Sequence, residues 1–401
     1  MKTPISNLLA VKNKDISEKK EWLDLNNIKS KREIGKEIKL LDYNFQDVLC
    51  IPLIFDLICQ FIDIDDKKYL SFCNKKLYQI YCSQFQRIKI RKLSDKIKIQ
   101  ELLKIYQNIN RLDLGKLYEL ENISFLEKNQ NFIELNFSFC KNIKDFTPIS
   151  YCTKLEILNL SRTTISNISF IQKNKNIIEL NLSFCKNIKD FSPISYCEKL
   201  EILNLYFTKI SNISFIQKNK NIIELNLSDC EEIKDFSPIS YCEKLENIDI
   251  LYATKDISFL QYHKGIKELT LSIQKNFENI ISKFEKLECL CMNFGDDISF
   301  LTKLNNIKKL SLNYTEDIKD FSPISKLEKL EIFKMHISNI SDISFLKNIK
   351  NIKNMYLSYC REIKDFSPIS YCEKLEILGL YATGIKDISF LAKTTNIKEL
   401  K

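Results

Sequence analysis

The sequence predicts an α/β solenoid: stacked coils that present a parallel concave sheet, close on the convex side with short 3₁₀ or extended turns, and follow a small helical bundle. Three observations predict it. The phrase Leu155-Glu-Ile-Leu-Asn-Leu160 returns 45 residues later at Leu200 to Leu205, and nearly so at Leu375 to Leu380. A sister phrase, Ile177-Ile-Glu-Leu-Asn-Leu182, recurs at Ile222 to Leu227, so the long period is two coils of about 22 and 23 residues. Within each phrase apolar residues alternate with polar ones, the period of a strand with one face buried.

Registering the phrase along the chain gives coils that begin at Ile109, Phe132, Leu155, Ile177, Leu200, Ile222, Leu245, Ile266, Leu287, Ile307, Leu330, Ile352, Leu375 and Ile397. Their first, fourth and sixth positions are apolar, as in Ile177, Leu180 and Leu182. One coil cannot bury its own apolar side, so coils must stack and their strands pair in parallel about 4.8 Å apart. The return segments alternate between Asp-Phe-Ser-Pro-Ile-Ser, as at Asp190 to Ser195, and Ile-Ser-Phe-Ile/Leu, as at Ile213 to Ile216. Repeated proline excludes a regular helix interior there.

Coils of this length and pattern resemble leucine-rich repeats of the short, internalin-like class. That resemblance implies a solenoid over residues 109–401 whose concave face binds a partner. The asparagine that the class carries at the ninth position is replaced here by Cys140, Cys185, Cys230 and Cys360, or by Thr163, Thr208 and Thr383. Cys140, Cys185 and Cys230 lie two coils apart, roughly 10 Å at the strand spacing, beyond the about 7 Å that a disulfide spans. They are expected to be a ladder of small buried thiols. The Cys289-x-Cys291 pair is expected to split between the two faces of its strand.

Positions three, five, seven and eight are expected on the concave face. The fifth reads Asp113, Asn136, Asn159, Asn181, Asn204, Asn226 and Asp249, then drifts to Thr270, Cys291, Ser311, Lys334, Tyr356 and Gly379. An asparagine run can hydrogen-bond along its own ladder. Positions seven and eight carry aromatics, and exposed aromatics fit the core of an interface. The residues expected to meet a partner are Tyr206, Phe207, Tyr252, Phe294, Tyr314, Lys334, His336, Tyr356, Tyr359 and Tyr381. For the Phe residues the alternative is a cover folded over the strand edge. Coils from 245 to 337 depart most from the pattern, with lengths of 21, 21 and 20 residues, and are candidates for specificity.

Residues 46–85 read differently. Apolar residues at 54, 57, 58, 61 and 62 follow helical spacing, Pro52 suits a first turn, Asp63 to Asp66 make a break, and a second short pattern follows. The segment resembles an F-box: Ile51-Pro52, a helix, an Asp-rich turn and a closing Asn74-Lys-Lys-Leu-Tyr78. It departs at Ile54, where that family has Glu. The resemblance implies that Ile51, Pro52, Leu53, Leu57, Ile58 and Phe61 dock a Skp-type adaptor. Residues 1–45 form a charged segment, partly disordered or helical, and 86–108 an N-terminal cap, with a strand at Ile88 to Ile90 and a helix from Ser94 to Ile105.

The formal charge of +9 is uneven: residues 1–108 hold 21 Lys+Arg against 14 Asp+Glu, and the remainder 40 against 38. A near-neutral solenoid argues against nucleic acid as its partner. No apolar stretch reaches the roughly 20 residues of a membrane span, and residues 1–20 lack the apolar run of a signal peptide. Sequons such as Asn136-Phe-Ser138, Asn181-Leu-Ser183 and Asn226-Leu-Ser228 fall on strands, where glycans would destroy the fold. The 14 cysteines contain no zinc-ligand spacing. A cytoplasmic or nuclear protein with reduced thiols and no metal or cofactor is expected. With two histidines and six glycines, the chain offers no catalytic constellation or phosphate cradle, so an enzyme is not expected. These readings converge on the substrate-recognition subunit of a cullin-type ubiquitin ligase, the alternative being an interaction scaffold whose bundle is only a cap.

Overall fold

The computed structural model describes residues 23, 24, 87–90, 99, 103, 108–254, 256–272 and 277–401. The chain divides into two compact units, Met1–Leu155 and Glu156–Lys401. The F-box-like residues Ile51, Pro52, Leu53, Leu57, Ile58 and Phe61, and the bundle they would form, lie outside the described residues, as does most of segment 1–45.

In the first unit, strands β1 (Leu23–Asp24), β2 (Arg87–Lys89), β3 (Arg111–Asp113) and β4 (Glu134–Asn136) pair in parallel in chain order. The expected capping strand is β2, with Ile88 and Ile90 buried; Ile99 and Leu103 are helical and buried, one turn apart. Charge on this sheet is paired, since Arg87 and Arg111 both donate to Glu134, at 3.1 and 3.0 Å.

In the second unit, β5 (Ile157–Asn159), β6 (Glu179–Asn181), β7 (Ile202–Asn204), β8 (Glu224–Asn226), β9 (Asn247–Asp249), β10 (Glu268–Ser272), β11 (Cys289–Asn293), β12 (Lys309–Asn313), β13 (Ile332–His336), β14 (Asn354–Ser358), β15 (Ile377–Gly379) and β16 (Glu399–Leu400) form an all-parallel ladder. Each strand starts at the third position of its coil. In the coils from Leu155 to Leu375 residues at positions one, four and six are buried, as Ile177, Leu180 and Leu182 are, and each fully buried leucine contributes roughly 1.5–3 kcal/mol. Phe rings in successive coils stack behind the sheet with centroids 5.4 Å (Phe236–Phe259), 5.2 Å (Phe277–Phe300) and 6.3 Å (Phe366–Phe390) apart.

The convex side is built from 3₁₀ turns, of five residues as at Ser192–Tyr196 and Ser214–Lys218, or of three at Ser258–Leu260. Each begins two residues after an Asn or Asp whose Oδ1 accepts the Ser or Thr backbone N–H: Asn167 to Ser169 at 2.8 Å, Asp190 to Ser192 at 2.9 Å, Asp297 to Ser299 at 2.8 Å. Proline falls in the first turn, where no N–H is needed, as at Pro193, Pro238, Pro323 and Pro368. One coil departs from the 3₁₀ or extended expectation: Glu278–Ile281 is a single α-helical turn, in a coil that lacks both return phrases.

The asparagine column does more than pair with itself. In β5 to β9 the fifth-position Oδ1 accepts the N–H two residues on, from Asn159 to Ser161 at 3.0 Å through Asp249 to Leu251 at 3.2 Å. This diverts the seventh N–H from the sheet and ends the strand after three residues. Where that position becomes Thr270, Cys291, Ser311, Lys334 or Tyr356 the diversion is lost, and β10 to β14 run to five residues.

The expected thiol ladder is present: Cys140, Cys185, Cys230 and Cys360 are fully buried. Cys185 and Cys230 each donate to a carbonyl of the preceding coil, Leu160 and Leu205, at 3.1 Å, and contact Thr163 and Thr208 at 3.6 and 3.5 Å. Burial pushes the Cys360 thiol up to about 12. The expectation for Cys289 and Cys291 is corrected: residues two apart on a strand share a face, and both are part-exposed around buried Leu290.

Candidate functional site

All ten residues expected to meet a partner lie in the second unit. By alternation, the third, fifth and seventh positions project from the strand face, and the eighth should point the other way. It does not, because the backbone turns over there. Every described eighth position of the second unit has positive φ: Arg162 (59°), Phe184 (61°), Phe207 (57°), Asp229 (54°), Tyr252 (58°), Phe294 (60°), Tyr314 (55°), Ile337 (53°), Tyr359 (57°) and Ala382 (55°). In the coils that begin at Leu155 to Leu245 the sixth-position carbonyl also accepts the ninth N–H, as Leu182 does from Cys185 at 3.1 Å, the pattern of a type II turn, whose third residue is ordinarily Gly or Asn; beside Tyr314 the ninth N–H, of Thr315, bonds instead to the Ile337 carbonyl of the next coil at 3.1 Å. Bulky residues held left-handed cost about 1 kcal/mol or more each. The turn swings the eighth side chain over the end of the sheet, beside the seventh.

Two aromatic groups result. Phe184 meets Tyr206 at 4.9 Å and Phe207 at 5.2 Å between ring centroids, with the Arg162 guanidinium 3.5 Å over Phe184 and the Lys186 ammonium 3.6 Å over Phe207. A longer ribbon runs Tyr252–Phe294–Tyr314–His336–Tyr359–Tyr381, with successive centroids 6.2, 5.5, 6.0, 5.3 and 5.3 Å apart. It skips β10 because the Tyr252 hydroxyl reaches past that strand to accept from Asn293 Nδ2 at 2.8 Å. Phe207 is half-buried in its cluster and acts partly as the cover envisaged for Phe residues. Phe294 does not: it is 45% exposed, beside Tyr252 at 40%, Tyr314 at 41% and Tyr381 at 63%. Lys334 and Tyr356 are separate from the ribbon, in the centre of the face, with the Lys334 ammonium 5.4 Å over the Tyr356 ring. Gly379 makes room for that ring, since a Cβ there would lie 2.8 Å from Tyr356 Cδ1.

Charges on the face follow a pattern that reading aromatics alone misses. Between β7 and β10 a depression of about 240 Å³ is lined by Glu224, Asp249 and Glu268 with Asn204, Asn226, Asn247 and Thr270. Asp249 accepts from the Ser228 hydroxyl and from Asn226 Nδ2. Burial, and more weakly the charge of Asp229, hold its carboxyl above the ordinary range. Burial likewise raises Asp229, to which the Tyr206 hydroxyl donates. Two and three strands on from Glu268, the sign reverses at Lys309 and Lys334, both exposed. The second-position column, by contrast, neutralises itself: Lys267–Glu246, Lys308–Glu288, Lys353–Glu331 and Lys398–Glu376 pair at 2.7, 2.8, 2.8 and 2.9 Å. Sequence reasoning could have found both features by reading columns two and three down the coils.

Among the described residues, no group of three or more His, Cys, Asp or Glu is placed to hold a metal ion, and no helix is long and apolar enough to cross a membrane. The two histidines are apart: His336 sits in the ribbon, whereas His263 is buried, its Nε2–H donating to the Ile239 carbonyl at 3.2 Å.

Parallel strands in register, a sealed apolar side and 3₁₀ returns define the leucine-rich-repeat fold. Solved structures bear this out. The chain is similar to an internalin of Listeria monocytogenes, with a TM-score of 0.52 and 22% identity over 80% of this chain and 88% of that one. It is also similar to a leucine-rich-repeat protein of Leptospira interrogans, with a TM-score of 0.57 and 19% identity over 82% and 86% of the two chains. At these identities the likeness is one of fold. No protein-family model and no curated protein sequence matches the chain.

Proposed function

We propose that this protein binds a partner protein against the strand face of residues 156–401, with the aromatic ribbon as the principal contact. The observation that carries the reading is the ribbon itself. Phe294 and Tyr314 are held in a strained backbone conformation and yet left more than 40% exposed. Neither placement stabilises the free chain, and both fit rings that gain their burial from a partner. The role is binding and not catalysis: most described thiols are buried and raised, His263 is buried against a backbone carbonyl, and His336 is one ring of the ribbon. A face whose acidic and basic groups balance lacks the basic footprint that nucleic acid requires.

Affinity capture from the native cell, with wild type and a Phe294→Ala/Tyr314→Ala variant, tests the reading. The variant is expected to lose the captured partner by at least about thirtyfold, the scale of a hot-spot deletion, while its thermal melt shows a folded chain. Unchanged capture refutes it.

The finer reading, a ubiquitin-ligase substrate receptor, rests on the F-box-like residues Ile51, Pro52, Leu53, Leu57, Ile58 and Phe61 by sequence alone. A pull-down with a Skp-type adaptor, comparing wild type with Pro52→Ala/Leu57→Asp, decides it; no binding by either favours a plain interaction scaffold. A cytoplasmic or nuclear setting accompanies both readings. It is supported by the buried thiols and by the sequon asparagines Asn181 and Asn226, whose Oδ1 atoms are engaged by Ser183 and Ser228.

A further inference from the structure

The strand face carries two charged zones of opposite sign, side by side. Along the third column, register runs Glu224, Asn247, Glu268, Cys289, Lys309; along the fifth it runs Asn226, Asp249, Thr270, Cys291, Ser311, Lys334. The midpoint of Asp249 and Glu268 lies three strands from the midpoint of Lys309 and Lys334, about 14 Å at the strand spacing. Among the described residues no Lys or Arg forms an ion pair with Glu224, Asp229, Asp249 or Glu268, and no carboxylate with Lys309 or Lys334. The neighbouring second column shows what this sequence does when charges serve only the fold: it pairs them coil by coil.

We infer that the face accepts an extended segment of a partner protein that crosses the strands and carries opposite charges about four residues apart, its basic end over the Asp249–Glu268 depression and its acidic end over Lys309 and Lys334. The spacing follows from the geometry: an extended chain advances about 3.3 Å per residue, so four residues cover the gap between zones. The part-exposed, uncharged Cys289 and Cys291 floor lies beneath the middle of the segment, and Phe294 and Tyr314 lie at its flank. The acidic depression is the better-formed half. Burial raises the Asp249 carboxyl on its floor, so a Lys or Arg entering it favours the charged form of that group, whereas a further carboxylate is repelled. An all-basic segment meets repulsion at Lys334, and an all-acidic one meets it at Glu268. This inference rests on the protein-binding reading above and specifies its partner.

The test uses the full chain and four fluorescein-labelled probes of equal length. One is a peptide with two lysines followed, four residues on, by two glutamates; the others are its reversed sequence, oligolysine and oligoglutamate. Anisotropy is expected to show one bipolar peptide binding about tenfold or more tighter than either homopolymer, each tenfold being about 1.4 kcal/mol. Glu268→Lys and Lys334→Glu should each weaken that peptide by a similar factor, and the double exchange Glu268→Lys/Lys334→Glu should favour the opposite peptide direction. Both residues are solvent-exposed, and unchanged thermal melts confirm that the variants fold. The inference is overturned if oligolysine binds tightest, if Lys334→Glu has no effect on the bipolar peptide, or if no probe binds. The same charge variants applied to cellular capture separate the two readings. Partner lost on Phe294→Ala/Tyr314→Ala but kept on charge reversal leaves protein binding standing and removes the bipolar segment; partner kept by all variants removes both.

Discussion

Thiol alkylation at Cys289 reads both the geometry and the electrostatics of the strand face. Burial, and then the Glu268 carboxylate, push the Cys289 thiol from an ordinary value of 9.0 up to about 11. At pH 8 the thiolate fraction falls from about a tenth to about a thousandth, a hundredfold loss of the reactive species. Nucleophilicity rises with pKa, with a Brønsted slope of about 0.4–0.5, which returns roughly eightfold over two units. Iodoacetamide should therefore label Cys289 in the folded chain about tenfold more slowly than an ordinary thiol at pH 8, with a rate still climbing at about pH 10, where an ordinary thiol has levelled off. Pulse labelling with mass-spectrometric readout gives the rate at each cysteine. Cys291, on the same face and part-exposed, should label in the native state too, whereas buried Cys185 and Cys230 should wait for unfolding. A plateau near pH 9 at Cys289 would refute the electrostatic account. Cys291 protected as fully as Cys185 would refute the shared face.

Three further outcomes follow from the columns. Asp190→Ala removes the acceptor of the Ser192 N–H and should lower stability in urea melts by about 1 kcal/mol, the scale of a lost cap. The Ser192 hydrogen bonds hold the Asp190 carboxyl below its ordinary 3.8, so its contribution is intact above about pH 4 and vanishes as pH falls through the lowered folded value, where variant and wild type should converge. Asn204→Thr, in imitation of Thr270, should let the Tyr206 N–H rejoin the ladder and lose no more than about 1 kcal/mol, with slow amide exchange at Tyr206; an orphaned N–H would instead lose about 1–3 kcal/mol and exchange fast. His263 is held neutral by burial, below its ordinary 6.5, so its folded state loses ground to an unfolded chain that takes up a proton as pH drops through about 6.5. His263→Asn, which copies Asn219 at the same place two coils earlier and its 2.8 Å bond to the Cys197 carbonyl, should flatten the stability profile between about pH 7 and 5; an unchanged slope would exonerate the histidine.

What was legible in the sequence is what has a period. Leu180, Leu203 and Leu225 are buried where alternation put them, every strand begins at its registered position, and Pro193 and Pro238 fall in the first turn of short 3₁₀ returns. The misplacement of Cys291 opposite Cys289 was an error of parity, since a period of two puts residues two apart on one side. The three-residue and five-residue strands were legible in principle, because the change from Asn226 and Asp249 to Thr270 and Cys291 marks where the side chain stops competing for the seventh N–H. The paired second column was legible too, in the alternation of Glu246, Lys267, Glu288 and Lys308.

The left-handed eighth position was not legible, for a physical reason. Sequence signals for positive φ rest on Gly and Asn, which pay little there, and this chain places Phe, Tyr, Arg and Ile instead. Local preference is overruled by the ladder: with the sixth N–H bonded to the fifth carbonyl of the next coil and the eighth N–H to its seventh carbonyl, as Leu182 bonds Asn204 at 2.9 Å and Phe184 bonds Tyr206 at 2.8 Å, the turn is pinned from outside. Once pinned, it fixes where any side chain at that position goes. An aromatic there cannot reach the core and is delivered to the rim of the strand face, next to the ring one coil away. Tyr252, Phe294, Tyr314 and Tyr359, four of the six ribbon rings, are therefore a product of two separate facts, a backbone conformation the whole stack enforces and a choice of large rings at the positions it controls, and His336 and Tyr381 join them from the seventh position. Replacing the rings leaves the first untouched, which is why Phe294→Ala/Tyr314→Ala should cost recognition far more than it costs the fold.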